Sequence, residues 1–477
     1  MGSTVKRFAS NAFFLYSNQI LLTLGSFLVA LKVIDHLGPV QYGIYSTVLA
    51  FASFFGMLTV STGIDDLVLT DLSGAGAESD DHRKYIATAF YLRIGLGVTA
   101  FILITITSNL AGYEASVRAL ILLYAVGMLF GFHTRNSLLT ADFIVSERRL
   151  VPEIVIFVVT SGVLLTKYIL AVSGAPLTFF VGADVVLIVG ISAAFLAAGL
   201  VWGRLELAPR NFDLGLARNL AGRAMPIAIS ALLVSIFLRV DQVMLSRMLG
   251  MKEVGFYSVA VRLVEAANFI PVLAASLLLP VYSRFRESQR RDDLLRLSFR
   301  AAAWTALLLV AGFTLFGRDL LIFLWEDRFI ASYAPLLILS WSTLFVFMGT
   351  LNGTMSVVFN LQKYNLVFIA IQSVLNVVLN WILIPVYGPA GAAISTTFTY
   401  GLGFFIMFTF PAMRFIAKQA WREALPLSAG MGLLLYGAGG GPLLGRWWIV
   451  ALLVPLTGLL AFRSVVLVRD IQGESAG

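Results

Sequence analysis

Apolar runs about as long as a bilayer-crossing helix alternate with short polar breaks along the whole chain. Six runs come first, at about 11–33, 43–64, 86–108, 118–139, 151–172 and 178–201. A polar, basic segment from Trp202 to Arg223 follows. Six more runs lie at about 224–247, 255–280, 301–318, 334–358, 365–384 and 390–410, and a last pair at about 426–441 and 447–462. The pattern predicts an all-α polytopic membrane protein with about fourteen spanning helices. Lys6 and Arg7 precede the first run, which is too long for a signal-peptide core and reads as a retained first membrane helix.

Composition supports lipid as the solvent. Of 477 residues, 59% are apolar and only 13% charged, too few to clothe a soluble protein. There is no cysteine, which excludes disulfides and thiolate chemistry, and the three histidines are scattered. The net charge of +8 reads as positive-inside loops rather than a nucleic-acid surface, because no polar domain exists to hold a nucleic acid. Arg148, Arg149, Arg204, Arg210, Arg218, Arg223, the run from Arg284 to Arg300, Arg414, Lys418, Arg422, Arg463 and Arg469 would all face one side. That places both termini in the cytoplasm. The acidic segment 65–81 dissents, but acids weigh little in this rule. Residues 281–300 mix arginines with leucines and read either as an amphipathic helix on the inner leaflet or as a solvated basic loop. P-loop, zinc-protease and nucleophile-elbow motifs are absent, the outer loops are short, and no cofactor is implied.

An internal repeat organises the chain. Leu37-Gly38-Pro39-Val40-Gln41-Tyr42-Gly43-Ile44-Tyr45-Ser46 recurs as Leu249-Gly250-Met251-Lys252-Glu253-Val254-Gly255-Phe256-Tyr257-Ser258, after helices one and seven. Two parallel six-helix lobes are expected, 1–209 and 210–411, with the last two helices and tail at 412–477. A second motif pairs Asn376 and Asn380, four apart on one helix face, with the turn Ile384-Pro385-Val386-Tyr387-Gly388-Pro389-Ala390-Gly391. Its two asparagines suit either helix–helix hydrogen bonding or the lining of a polar cavity.

The L-G-x4-G-x-Y-S turn and the N-x3-N…I-P-x-Y-G turn resemble those of bacterial polysaccharide and oligosaccharide flippases, as does Gly255-Phe256-Tyr257-Ser258-Val259-Ala260-Val261-Arg262-Leu263. The wider group includes multidrug and lipid II exporters. The resemblance runs from Phe8 to about Pro411. It implies a flippase that moves a polyprenyl-diphosphate-linked oligosaccharide across the bacterial inner membrane by alternating access, in surface polysaccharide assembly and alongside other assembly proteins. A cation-coupled multidrug exporter, a membrane-embedded glycan polymerase or ligase, and a non-transporting scaffold are the competing classes.

Ionisable residues inside a membrane span are candidate functional groups. The helix map places Arg93, Arg135, Lys167, Arg239 and Arg262 there, against Asp184, Asp241 and Glu265. Arg135 and Lys167 lie near helix ends, where long side chains snorkel. Arg239, Asp241, Arg262 and Glu265 fall at similar depth in the hairpin of helices seven and eight, either as a self-paired cluster or facing a polar cavity. The excess of cations suits a diphosphate: Arg93, Arg239, Arg262, Arg135 and Lys167 are the expected cargo contacts. Asp241, Glu265 and Asp184 are the expected groups for H+ or Na+ coupling. No metal site is expected. His133, beside Arg135, reads as a structural histidine or a proton relay.

Overall fold

The computed structural model describes residues 2–60, 63–74, 80–133, 137–140, 143, 150–202, 205–284 and 291–438. The described chain is helical almost throughout. The helices are α1 (Gly2–Val60), α2 (Ile64–Gly74), α3 (Asp80–Leu110), α4 (Ala115–Met128), α5 (Leu150–Val172), α6 (Leu177–Trp202) and α7 (Leu214–Met248). They continue as α8 (Met251–Glu265), α9 (Phe269–Arg284), α10 (Arg291–Trp325), α11 (Tyr333–Val358), α12 (Gln362–Tyr387), α13 (Pro389–Met407) and α14 (Arg414–Ala438). Among the described residues, nine stretches are long and apolar enough to cross a membrane, and two of them, 18–71 and 291–358, each contain two long helices in series. Leu21, Leu28, Ile102, Val158, Leu165 and Ile169 stand exposed on these helices, as lipid-facing aliphatics do. The chain is a multi-pass membrane protein.

Several helix ends depart from the sequence expectation, each for a local reason. The loop expected between helices one and two shrinks to a break at Gly38, whose φ of 67° only glycine adopts easily, with Pro39 opening the next helix. Gly250 does the same between α7 and α8, with φ of 100°. The fourth run, 118–139, leaves helical form after Met128. The eighth divides at 266–268 into α8 and α9. The ninth, expected at 301–318, extends in both directions, so Arg291, Arg296 and Arg300 ride on α10. Leu294, Leu295 and Phe299 are buried in protein, so 291–300 is not a helix laid on the leaflet. Residues 414–425, expected as a basic loop, are the start of α14. The run at 447–462, with Arg463 and Arg469, lies outside the described residues.

The chain packs as two compact units, 1–255 and 256–477. The boundary expected between the two six-helix lobes lies at 209/210, before α7. In packing, α7 joins the six-helix set before it. In the first unit α1 packs along α7 and α5, and α4 along α6. Ile64, Ile86, Phe132, Leu139, Phe195 and Leu220 form part of its core. In the second unit α11 packs against α10 and α13 around Phe299, Leu307, Phe347, Met355 and Phe404.

Within the first unit the two repeat turns meet. A β-carbon on Gly43 would collide with the Met251 carbonyl, and one on Gly255 with the Pro39 carbonyl. Gly43 and Gly255 are the seventh residues of the two motif copies, and Pro39 and Met251 the third. The contact is therefore reciprocal, as a two-fold axis requires. Closeness between helix backbones, which Gly permits, is the main source of helix association where lipid removes the hydrophobic drive.

Candidate functional site

Helix lengths place five side chains of the first unit in one layer. Tyr45 lies seven residues past Gly38, Lys167 five before the end of α5, and Asp184 seven past the start of α6. Arg239 lies nine residues before the end of α7, and Tyr124 nine past the start of α4. At about 1.5 Å per residue all lie roughly 8–14 Å below the helix ends nearest Gly38.

Three of them form a bonded triad. The Lys167 Nζ donates to Asp184 Oδ1 at 2.5 Å and to the Tyr45 hydroxyl at 3.0 Å. Tyr45 in turn donates to Asp184 Oδ2 at 2.6 Å. Both carboxylate oxygens are thus satisfied, one by a cation and one by a phenol. The Lys167 ammonium also stands 5.6 Å from the centre of the Tyr45 ring. The Lys167 and Asp184 side chains keep 13% and 14% exposure. Asp184 and Arg239 both act electrostatically on Tyr124.

The loops above this layer are tied down. His36 Nε2 meets the Ala175 carbonyl at 2.8 Å, bracing α1 to the α5–α6 turn. The Tyr113 hydroxyl and Ser246 Oγ are 3.0 Å apart, and Arg247 donates to the Gly112 carbonyl at 3.1 Å while lying over the Tyr113 ring. Burial holds the Tyr113 phenol above its ordinary value, against the opposing pull of Ser246 and Arg247.

Arg93 lies in a different setting, near the other end of the unit. Its guanidinium donates to Asp65 and to the Gly131 carbonyl and lies 5.1 Å over the Phe132 ring. Gly131 belongs to the segment where α4 gives way to irregular backbone. Ser192 Oγ caps the neighbouring Phe130 carbonyl. Freed carbonyls at membrane depth need such donors, and Arg93 supplies one while neutralising Asp65. Its side chain is 1% exposed. His133 follows directly, close enough for Arg93 to act on it electrostatically.

The structure thus joins Lys167 with Asp184 and places Arg239 nearby, while Arg93 stands apart with Asp65. Asp241 is buried, and Arg239, Asp241, Arg262 and Glu265 all have interaction partners. Arg262 and Glu265 close α8 in the second unit. Arg135 lies outside the described residues. Asn376 and Asn380 are buried: Asn376 ties α12 to α13, its Nδ2 reaching Ser395 Oγ at 3.3 Å and Thr396 Oγ1 at 3.2 Å, and Asn380, one turn along α12, donates to Asn376 Oδ1 at 3.0 Å. They act as helix glue. Among the described residues no cluster of three or more His, Asp or Glu is arranged to hold a metal.

Sequence reasoning passes over Tyr45, Asp65 and Tyr124 as partners. Tyr45 carries a signal: it is the tyrosine of the repeated motif. Asp65 carries a weak one, as the first acid of a segment that continues into a helix.

Comparison with known proteins fits this architecture. The model of a family described as polysaccharide biosynthesis protein matches residues 8–286. The chain belongs to that family. Among solved structures, a lipid II flippase MurJ in an inward closed conformation superposes with a TM-score of 0.71 at 13% identity, covering 95% of this chain and all of that one. An inward-facing multidrug resistance MATE transporter of the MOP superfamily gives 0.59 at 15% identity, covering 86% of this chain and 94% of that one. The MATE multidrug transporter DinF-BH gives 0.55 at 15% identity, covering 84% of this chain and 96% of that one. At these identities the likeness shows the fold, which this polysaccharide biosynthesis family member shares with flippases and multidrug transporters. No curated protein sequence matches the chain.

Proposed function

We propose that the protein flips a polyprenyl-diphosphate-linked oligosaccharide from the inner to the outer leaflet of the bacterial inner membrane by alternating access, with both termini cytoplasmic. The family and the flippase fold support a lipid-linked saccharide as cargo, and the charge arrangement favours it over organic cations. The observation that carries this choice is the state of the acids. Asp65 and Asp184 are each held by a base of the protein, Arg93 and Lys167. A site for cationic drugs needs a carboxylate able to meet the drug; Asp65 and Asp184 are already neutralised, and Asp241 and Glu265 also have interaction partners, which suits an anionic diphosphate.

Arg239, on α7, is the cargo contact of the first unit. Arg262 in the second unit has the same role, with Asp241 and Glu265 as the counter-charges of these arginines when cargo is absent. The test is complementation of a deletion strain. Loss of the protein stops surface glycan and leaves lipid-linked oligosaccharide on the inner leaflet; Arg239→Ala, present at normal membrane levels, fails to restore export. Export of fluorescent organic cations without any effect on glycan would support the multidrug reading instead.

A further inference from the structure

The triad of Lys167, Asp184 and Tyr45 has the form of an occupied ion site. A carboxylate at membrane depth requires a counter-charge, because an unpaired one is too costly to keep ionised there. In a transporter that counter-charge can be an ion that comes and goes, or a side chain that does not. Here it is the ammonium of Lys167, held by Asp184 at 2.5 Å and Tyr45 at 3.0 Å. The groups that act on the Tyr45 and Tyr124 phenols are Asp184 itself, Tyr42 beside Tyr45 on α1, Tyr124 on α4 and Arg239 on α7. Among these groups Asp184 is the single anion.

We propose that Lys167 is a tethered cation filling a site for a small monovalent cation, formed by Asp184 and Tyr45, so that this protein works without exchanging an ion at that site. Lys167 is thereby a positioning residue and Asp184 its anchor, instead of a cargo contact and a coupling acid. Removing the ammonium leaves its space beside a carboxylate and a phenol oxygen, which together offer oxygen ligands to Na+ or a resting place for a proton.

The experiment uses the purified full chain in detergent and reads its melting temperature. Sodium chloride replaces choline chloride at constant ionic strength and alkaline pH, and a separate series lowers the pH in choline alone. The wild-type protein is expected to ignore sodium. Lys167→Ala is expected to gain stability on one of the two titrations, by about 2 °C or more, and Lys167→Ala with Asp184→Asn to lose that gain. A gain in sodium identifies the ion as Na+; a gain confined to acidification identifies a proton. Should Lys167→Ala fail to fold, Lys167→Gln keeps a donor toward Tyr45 and Asp184 while removing the charge, and is read in the same way. The proposal is overturned if the folded Lys167 variant responds to neither titration. It is equally overturned if the wild-type protein responds to sodium and Asp184→Asn abolishes that response. Neither result bears on whether glycan is the cargo, so failure here leaves the proposed function standing.

Discussion

Arg93 and Lys167 are both cations inside the first unit, and each neutralises one aspartate. Arg93 spends its planar fork on two fixed partners, Asp65 and the Gly131 carbonyl, and its side chain is 1% exposed. Lys167 meets Asp184 and a tyrosine hydroxyl, and its side chain is 13% exposed. The first arrangement mends a broken helix: α4 stops at Met128, and its freed backbone needs a donor that water cannot supply in a membrane. The second leaves every backbone group alone and consists only of side chains around one carboxylate. A membrane charge whose partners include backbone is part of the scaffold. A charge whose partners are all side chains fills a site that another cation could take in its place.

The largest expected effect comes from breaking the scaffold charge. Arg93→Gln strands Asp65 and costs about 3–5 kcal/mol, the usual penalty for removing one partner of a buried pair. Lys167→Gln costs less by at least about 1.4 kcal/mol, a tenfold difference in folding equilibrium, because its site is partly open and takes up a cation or proton. Melting of the two variants side by side checks both. Arg93→Lys is expected to fail as Arg93→Gln does, since an ammonium cannot reproduce the fork, whereas Lys167→Arg stays folded.

Next in size is the meeting of the repeat turns. Gly43→Ala or Gly255→Ala forces backbone apart and costs about 1–3 kcal/mol, as overpacking does. The same packing of α1 on α7 brings Ser53 Oγ within 3.5 Å of Ser235 Oγ. The chain has no cysteine of its own, so Ser53→Cys with Ser235→Cys is expected to cross-link on mild oxidation, read as a gel shift after cleavage of the connecting chain. Gly43→Ala lowers the yield.

Neutral polar glue comes below both. Asn376→Ala removes the amide that joins α12 to α13 and costs about 0.6–1.7 kcal/mol, the range for hydrogen bonds between membrane helices. Last, Arg223 holds Asp71 with two bonds, at 2.7 and 3.0 Å, yet both side chains are part-exposed. Arg223→Ala is expected to leave the melting temperature unchanged. A large drop there would mean that exposure is a poor guide to which charges matter, and would weaken the contrast between Arg93 and Lys167.

The spanning helices are legible in the sequence because a bilayer imposes one length and one composition on them. The repeat is legible because its turns demand glycine at two positions each, Gly38 and Gly250 for the break, Gly43 and Gly255 for the contact. Pairing is not legible. Periodicity puts Lys167 and Asp184 at similar depth but says nothing of which face each helix turns toward the other. Asp65 reads as a loop acid because acidity hides the amphipathic start of α2. The end of α4 at Met128 is also hidden, since the apolar run continues past it and no proline marks the break. Arg93 reads as a cargo contact for the same reason: the carbonyl that it serves exists only because that helix stops.

The most direct test of the account is transbilayer movement of the cargo itself. Proteoliposomes holding a polyprenyl-diphosphate oligosaccharide with a fluorescent sugar are treated with a membrane-impermeant quencher. With the wild-type protein, label initially on the inner leaflet should become quenchable; without protein, or with Arg239→Ala correctly inserted, it should stay protected. Inner-leaflet label that remains protected with folded wild-type protein, in vesicles where the same protein moves an organic cation, would contradict the account.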